Sequence, residues 1–323
     1  MTVSIRRTLS RALLATAGTI LLAGCSDDTT VAPEAPALFS TMYVFGASLD
    51  DTGNSCNLSP ATCAPAPYFN GRASNGPLWI ELVATKYGAT VTPSRTGGTN
   101  YSFQGARTGR IAGTTQGVPN MVQQVETYLA APATAARSTA LHVLNVATVG
   151  NDINDALAQS IINPAAPSTI LSSAVLNTAN MINRLYAEGA NHILVVNSTD
   201  IGRTPLVRAL GPAAAAGATQ LSSQFNAALV AQVAAIRASA PNLKLYVIDL
   251  GALTAEVLAS PGTFGFTNVT LPCVNVAPPA VCSTPDGFFY WDGFHPTAAA
   301  GRLVSQRVLA VLAAATATTT AAK

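Results

Sequence analysis

Imidazole is scarce in this chain: three histidines serve all 323 residues, so the search for a general base is short. His142 and His192 each stand at the start of an apolar run, Leu141-His142-Val143-Leu144 and Asn191-His192-Ile193-Leu194, where packing and hydrogen bonding are their expected use. His295 is placed differently, in Trp291-Asp292-Gly293-Phe294-His295-Pro296-Thr297. Pro296 can begin a helix, which puts His295 in the loop just before it. Asp292 can curl back to accept the Nδ1 proton, fixing the tautomer and stabilising the imidazolium that forms when Nε2 takes a proton. Such a base needs a nucleophile. The run 42–45 leads directly into Gly46-Ala47-Ser48-Leu49-Asp50-Asp51-Thr52-Gly53-Asn54. Ser48 is therefore expected at the carboxyl end of a strand, exposed in a glycine-containing turn beside amides that can hold an oxyanion.

Residues as distant as Ser48 and His295 meet only if the chain between them folds to bring them together. Short apolar runs rich in β-branched residues, at 42–45, 141–149, 193–197 and 243–250, read as buried strands. Helical spacing marks 78–87, 121–129, 174–187 and 221–236, and a further helix at 303–312 closes the chain. Strands followed by helices imply parallel strands with right-handed crossovers, hence an α/β fold: a three-layer α/β/α domain with a mainly parallel central sheet. Its chemistry should lie at the carboxyl ends of the strands. Residues 40–323 suffice for one large domain, with no second linker and no internal repeat.

The order of these motifs carries a family resemblance. The run 45–54 resembles the first block of GDSL (SGNH-type) lipases and esterases, and Gly71-Arg72-Ala73-Ser74-Asn75-Gly76-Pro77-Leu78-Trp79 is similar to the stretch after it. Asn100-Tyr101-Ser102-Phe103-Gln104-Gly105-Ala106 resembles the second block, and Val149-Gly150-Asn151-Asp152 the third. Asp292 and His295 match the last, and Thr199-Asp200-Ile201-Gly202-Arg203-Thr204-Pro205 is similar to a loop of the lipase-like members. The resemblance implies an SGNH-hydrolase-like, flavodoxin-like architecture. It also implies ester cleavage through an acyl-enzyme on Ser48, with the oxyanion held by the amides of Ser48 and Gly105 and the side chain of Asn151. Two positions depart from the pattern. Ala47 stands where the family name has aspartate, and Val149 where a glycine usually precedes the third block by one more residue.

The first residues carry Arg6, Arg7 and Arg11, then an apolar stretch at 12–22 too short to span a bilayer core of ~20 apolar residues. It reads as an export signal. Leu22-Ala23-Gly24-Cys25 resembles a lipobox, so residues 1–24 are expected to be removed, Cys25 to be lipidated, and 25–39 to form a tether. Ser26 beside that cysteine, in place of an aspartate, points to the outer membrane under the family rule for lipoproteins. With the three signal arginines gone, fourteen basic residues face fifteen acidic ones, so no basic patch remains and nucleic acid is not an expected partner. The other four cysteines form two local pairs, Cys56 with Cys63 and Cys273 with Cys282, and in an exported chain these are expected as disulfides.

No Gly-x-Ser-x-Gly elbow occurs, which argues against the ordinary α/β-hydrolase arrangement. No metal-binding helix signature or phosphate loop is visible, so no cofactor and no metal are expected. The expected partners are an ester or lipid substrate and, through the anchor, a membrane; a monomer is expected. Acyl transfer to an alcohol, or phospholipase or lysophospholipase activity, would use the same acyl-enzyme. An inactive lipoprotein that binds glycans or lipids is the alternative from another class.

Overall fold

The computed structural model describes residues 39–115, 117–132, 136–276 and 279–321. The signal segment, Cys25 and most of the tether lie outside the described residues. Phe39, read from sequence as the last tether residue, belongs to the packed domain: it is buried edge-on against Tyr87, His192 and Tyr246.

Four runs form one parallel sheet in the order β1 (Met42–Phe45), β2 (Leu141–Asn145), β3 (His192–Val196) and β4 (Lys244–Ile248). Val44 lies opposite Val143, Val143 opposite Leu194, and Leu194 opposite Tyr246. On the outer edge of β1, the Val44 amide donates to Thr99 at 3.0 Å and the Val44 carbonyl accepts from Tyr101 at 2.7 Å, so the segment around Asn100 extends the sheet by a short bridge. Parallel neighbours need long crossovers, and here helices supply them.

In chain order the helices are α1 (Asn54–Leu58), α2 (Trp79–Lys86), α3 (Met121–Leu129), α4 (Ala136–Thr139) and α5 (Val149–Ser160). They continue as α6 (Ala166–Ala187), α7 (Pro205–Ala209), α8 (Pro212–Ser239), α9 (Leu250–Ala259) and α10 (Ala298–Ala321). Side chains alternate along a strand, so each strand serves two layers. Phe45, Leu144, Ile193 and Val195 face one, with Met121 and Val125 of α3, Ile153 of α5, Ile182 of α6 and Phe225 of α8. Val44, Val143, Leu194 and Val196 face the other, with Ile80 and Val83 of α2, Leu253 and Val257 of α9, and Val308 and Leu312 of α10. The three-layer expectation holds.

Three of the differences between the element bounds and the sequence reading have a clear local reason. The apolar run 141–149 is not strand throughout. The Asn145 side chain accepts from the Ala147 amide at 3.2 Å and its carbonyl from the Thr148 hydroxyl at 2.9 Å, turning the chain into a 3-10 turn that feeds α5. Helices α6 and α8 begin earlier than their apolar periodicity, each with proline in its first turn. Pro296 does not begin the last helix. It pairs with Tyr290 and accepts the Ser74 hydroxyl at 3.0 Å, while Thr297 caps α10 through its hydroxyl on the Ala300 amide at 3.3 Å.

Between α9 and α10 lie four short strands, β5 (Asn268–Pro272), β6 (Val274–Val276), β7 (Pro279–Val281) and β8 (Phe288–Tyr290). β5 pairs with β8 and β6 with β7. Cys273 and Cys282 are bonded across the β6–β7 hairpin, as the local pairing predicts. Cys273 and Val274 donate to the carbonyls of Tyr290 and Trp291 at 3.0 and 2.7 Å, which fixes the chain immediately before Asp292.

Candidate active site

Ser48 emerges where β1 ends. The amides of Asp50 and Asp51 turn back to the Ala47 carbonyl at 3.1 and 3.0 Å, forming a tight turn with Ser48 at its apex. Gly46 is required there, since a Cβ would stand 2.2 Å from an Asp50 carboxylate oxygen. Gln124 of α3 clamps the same glycine, accepting from its amide at 3.0 Å and donating to its carbonyl at 2.9 Å. The Ala47 methyl packs with Phe103, Ala106 and Val118, a dry cluster in which a carboxylate would have no partner. The nearby acid that is present, Asp50, is fully buried; burial raises its carboxyl to about 7 against hydrogen bonds from Asn145 and Trp79.

The expected base stands at hydrogen-bond distance from that serine. His295 Nε2 is 2.9 Å from Ser48 Oγ, and its Nδ1 is 2.7 Å from Asp292 Oδ2. The 292–295 loop is held by its own acid: Asp292 Oδ1 accepts the amides of Phe294 and His295, each at 2.7 Å. Burial opposes ionisation of Asp292. The imidazole charge and these hydrogen bonds outweigh it and hold the carboxyl at about 2. The loop is tied to α7 as well, because the Leu206 amide donates to the Gly293 carbonyl at 2.7 Å.

The expected oxyanion donors come from three elements. Gly105 lies in the loop after Asn100 with φ +75°, a conformation that favours glycine. Asn100 Nδ2 binds the Asp50 carbonyl at 2.5 Å, and Asp51 accepts from the Gln104 amide at 3.0 Å, so the nucleophile turn and the Gly105 loop share one frame. Arg107 donates to the Gly105 carbonyl at 2.6 Å and pairs with Asp155 of α5 at 2.8 Å. Asn151, in the first turn of α5, spends one amide hydrogen on the Ala106 carbonyl at 2.8 Å, which aims the second. Among the described residues, neither the Ser48 nor the Gly105 amide donates to a protein acceptor. Asp152, next to Asn151, is buried on the Thr108 amide and hydroxyl at 3.0 and 2.6 Å, with burial raising its carboxyl to about 7. The second departure from the family pattern has a packing reason too. Val149 is buried in the core, and Gly150 makes the close approach, facing Ile201 and Phe294 where a Cβ would stand about 3 Å away.

An apolar cavity of about 80 Å³ lies beside the pair. Leu49, adjacent to Ser48, and Phe294 and Pro296, on either side of His295, contribute to its wall together with Trp79, Leu253 and Leu303, while Ser48 and His295 themselves do not line it. The other two histidines serve packing. His142 is buried with Nε2 2.8 Å from the Tyr128 hydroxyl, and burial lowers it to about 4. His192 stacks on Tyr246 with Nδ1 3.0 Å from the phenol.

Sequence reasoning missed two residues of this site. Gln124 had a signal, a polar side chain on the face of α3 that buries Met121, Val125 and Tyr128. Tyr68 had none; its hydroxyl donates to Asp292 Oδ2 at 2.8 Å across 224 residues of chain.

A serine, an imidazole and a carboxylate aligned at the carboxyl end of a parallel sheet define the class, a serine hydrolase with a relay. Residues 42–308 match the GDSL-like lipase/acylhydrolase family, and the chain belongs to it as a carboxylic ester hydrolase. A GDSL esterase/lipase of Arabidopsis thaliana is 24% identical over 318 residues, covering 83% of this chain and 86% of that protein. Lipase 1 of Photorhabdus luminescens is 23% identical over 340 residues, 85% of this chain and 50% of that protein. A phosphatidylcholine-sterol acyltransferase of Aeromonas hydrophila is 27% identical over 259 residues, 79% of this chain and 71% of that protein. Among solved structures, a lipase from a goat rumen metagenome matches with a TM-score of 0.45 at 12% identity, over 84% of this chain and 96% of that one.

Proposed function

We propose that the protein cleaves carboxylic esters through an acyl-enzyme on Ser48. The observation that carries this reading is the line from Ser48 Oγ through His295 to Asp292, closed at 2.9 and 2.7 Å. Oγ attacks the ester carbonyl while Nε2 takes its proton, and Asp292 stabilises the imidazolium. The amides of Ser48 and Gly105 and the free hydrogen of Asn151 receive the oxyanion, each worth ~3 kcal/mol in the transition state. Nε2 returns the proton to the leaving alkoxide. A water, deprotonated by the same nitrogen, then attacks the acyl-serine, and Ser48 leaves with the proton.

The acyl chain is assigned to the cavity beside Leu49 and Phe294. Its apolar wall favours an alkyl chain. A chain-length series of p-nitrophenyl esters, run on wild type and Ser48→Ala, tests the reading. Wild type should turn over members of the series and Ser48→Ala none of them. Equal rates in the two proteins would refute it.

Acyl transfer is the second reading, favoured by the relative named as a phosphatidylcholine-sterol acyltransferase. Adding an alcohol acceptor to the same assay separates the two, since transfer yields a new ester and hydrolysis yields free acid. For location, we propose export and lipidation at Cys25, supported by the lipobox-like run 22–25 and by two disulfides, which persist in oxidising compartments.

A further inference from the structure

Asp292 Oδ1 is fully engaged by two amides, so the orientation of the carboxylate toward His295 rests on Oδ2. That oxygen has two partners, His295 Nδ1 at 2.7 Å and the Tyr68 hydroxyl at 2.8 Å. Tyr68 is half-buried and stands edge-on to the buried Trp291, with ring centroids 6.1 Å apart. It arrives there on a loop braced at several points. Cys56 and Cys63 are bonded, and Gly71 lies so close that a Cβ there would stand 2.3 Å from Cys56 Sγ and 2.8 Å from Cys63 Sγ. The Gly71 carbonyl accepts from Gln104 at 2.7 Å, which joins this loop to the one carrying Gly105. Arg72 anchors the far end on Glu81 of α2 through two hydrogen bonds of 3.1 and 2.7 Å.

We propose that Tyr68 is a positioning residue for the Asp292–His295 pair, and that the disulfide-braced loop holds it in place. The inference rests on His295 being the base. Its phenol, pushed up by burial and by the Asp292 charge, stays protonated and therefore remains a donor. The charge that acts on Asp292 is that of His295, the charge that acts on the phenol is that of Asp292, and the phenol reaches the carboxylate through its hydrogen bond. By drawing charge from Oδ2, the phenol weakens the carboxylate's hold on the imidazolium. Without it the imidazolium is better stabilised and deprotonates at higher pH.

The test is the pH profile of kcat/KM on a soluble p-nitrophenyl ester. Tyr68→Phe keeps the ring against Trp291 and removes only the hydroxyl. It should lower kcat/KM about tenfold, because Oδ2 loses the donor that holds it toward His295, and move the rising limb upward by about half a pH unit. The Cys56→Ser/Cys63→Ser double variant should move the limb in the same direction in its folded fraction. A Tyr68→Phe profile identical to wild type overturns the proposal. So does a lower rate with an unmoved limb, which is the behaviour of a purely structural residue. A double variant with a wild-type limb overturns the role of the loop. Failure of the underlying reading has a different signature, retained activity in His295→Ala.

Discussion

Asp292 is an acid whose surroundings leave it little freedom, and its charge state decides how the pair responds to pH. Its folded carboxyl, at about 2, lies below the ~3.8 of an unpaired aspartate. Stability from this group is thus complete above the unfolded value and lost only as pH falls through the folded one. Between pH 5 and 8 this acid stays ionised and adds nothing to a limb of turnover there, whereas the buried carboxyls of Asp50 and Asp152, raised to about 7, titrate in that range. His295→Ala should lose several orders of magnitude in kcat, Asp292→Asn no more than that, and the double variant no more than His295→Ala, because residues acting as one unit are not additive. Steady-state rates of the three variants check this; additive losses would show that the two side chains act separately. The meeting of Ser48, His295 and Asp292 was legible in the sequence because the three lie in short, ordered motifs and imidazole is scarce. Tyr68 was not, because nothing near Pro67 and Phe69 signals a contact with Asp292.

At the scale of elements, the strands were legible because parallel strands buried on both faces read as continuous apolar runs. The error at 141–149 has the same origin. Val146 and Val149 are as buried as the strand before them, and only the Asn145 side-chain turn marks the change to helix. β2 also carries a pH-sensitive group. His142 is held down to about 4 by burial, while an unfolded chain protonates it near 6.5. Its contribution is therefore complete above about 6.5 and lost as pH falls toward 4, on the order of 3 kcal/mol. His142→Gln should keep its activity and show a smaller loss of unfolding free energy between pH 7 and 4.5 than wild type. Urea melts at the two values measure it, and parallel losses in both proteins would remove His142 as the cause.

For the molecule as a whole, α/β order could be read from the alternation of runs, since each crossover must return the chain to a neighbouring parallel strand. What the pattern did not reveal is how loops from distant segments brace one another. Gln104 reaches Gly71, Arg107 reaches Asp155, and the β6–β7 disulfide lies beside the strand that leads to Asp292. Long-range hydrogen bonds of this kind leave no periodicity behind. The proposed anchor belongs to this scale as well. Cys25→Ala should abolish lipid mass and membrane recovery while preserving esterase activity, as read by intact mass and fractionation. A wild-type mature protein with an unmodified residue at its start would contradict the lipidation.

If Ser48 is the residue that becomes acylated, an active-site-directed fluorophosphonate should be captured by it. Treated wild type should gain one adduct mass, located by peptide mass spectrometry on the peptide containing Ser48. Folded Ser48→Ala should gain none, and His295→Ala should label far more slowly. Undiminished labelling of folded Ser48→Ala, or an adduct on another serine in wild type, would contradict the account.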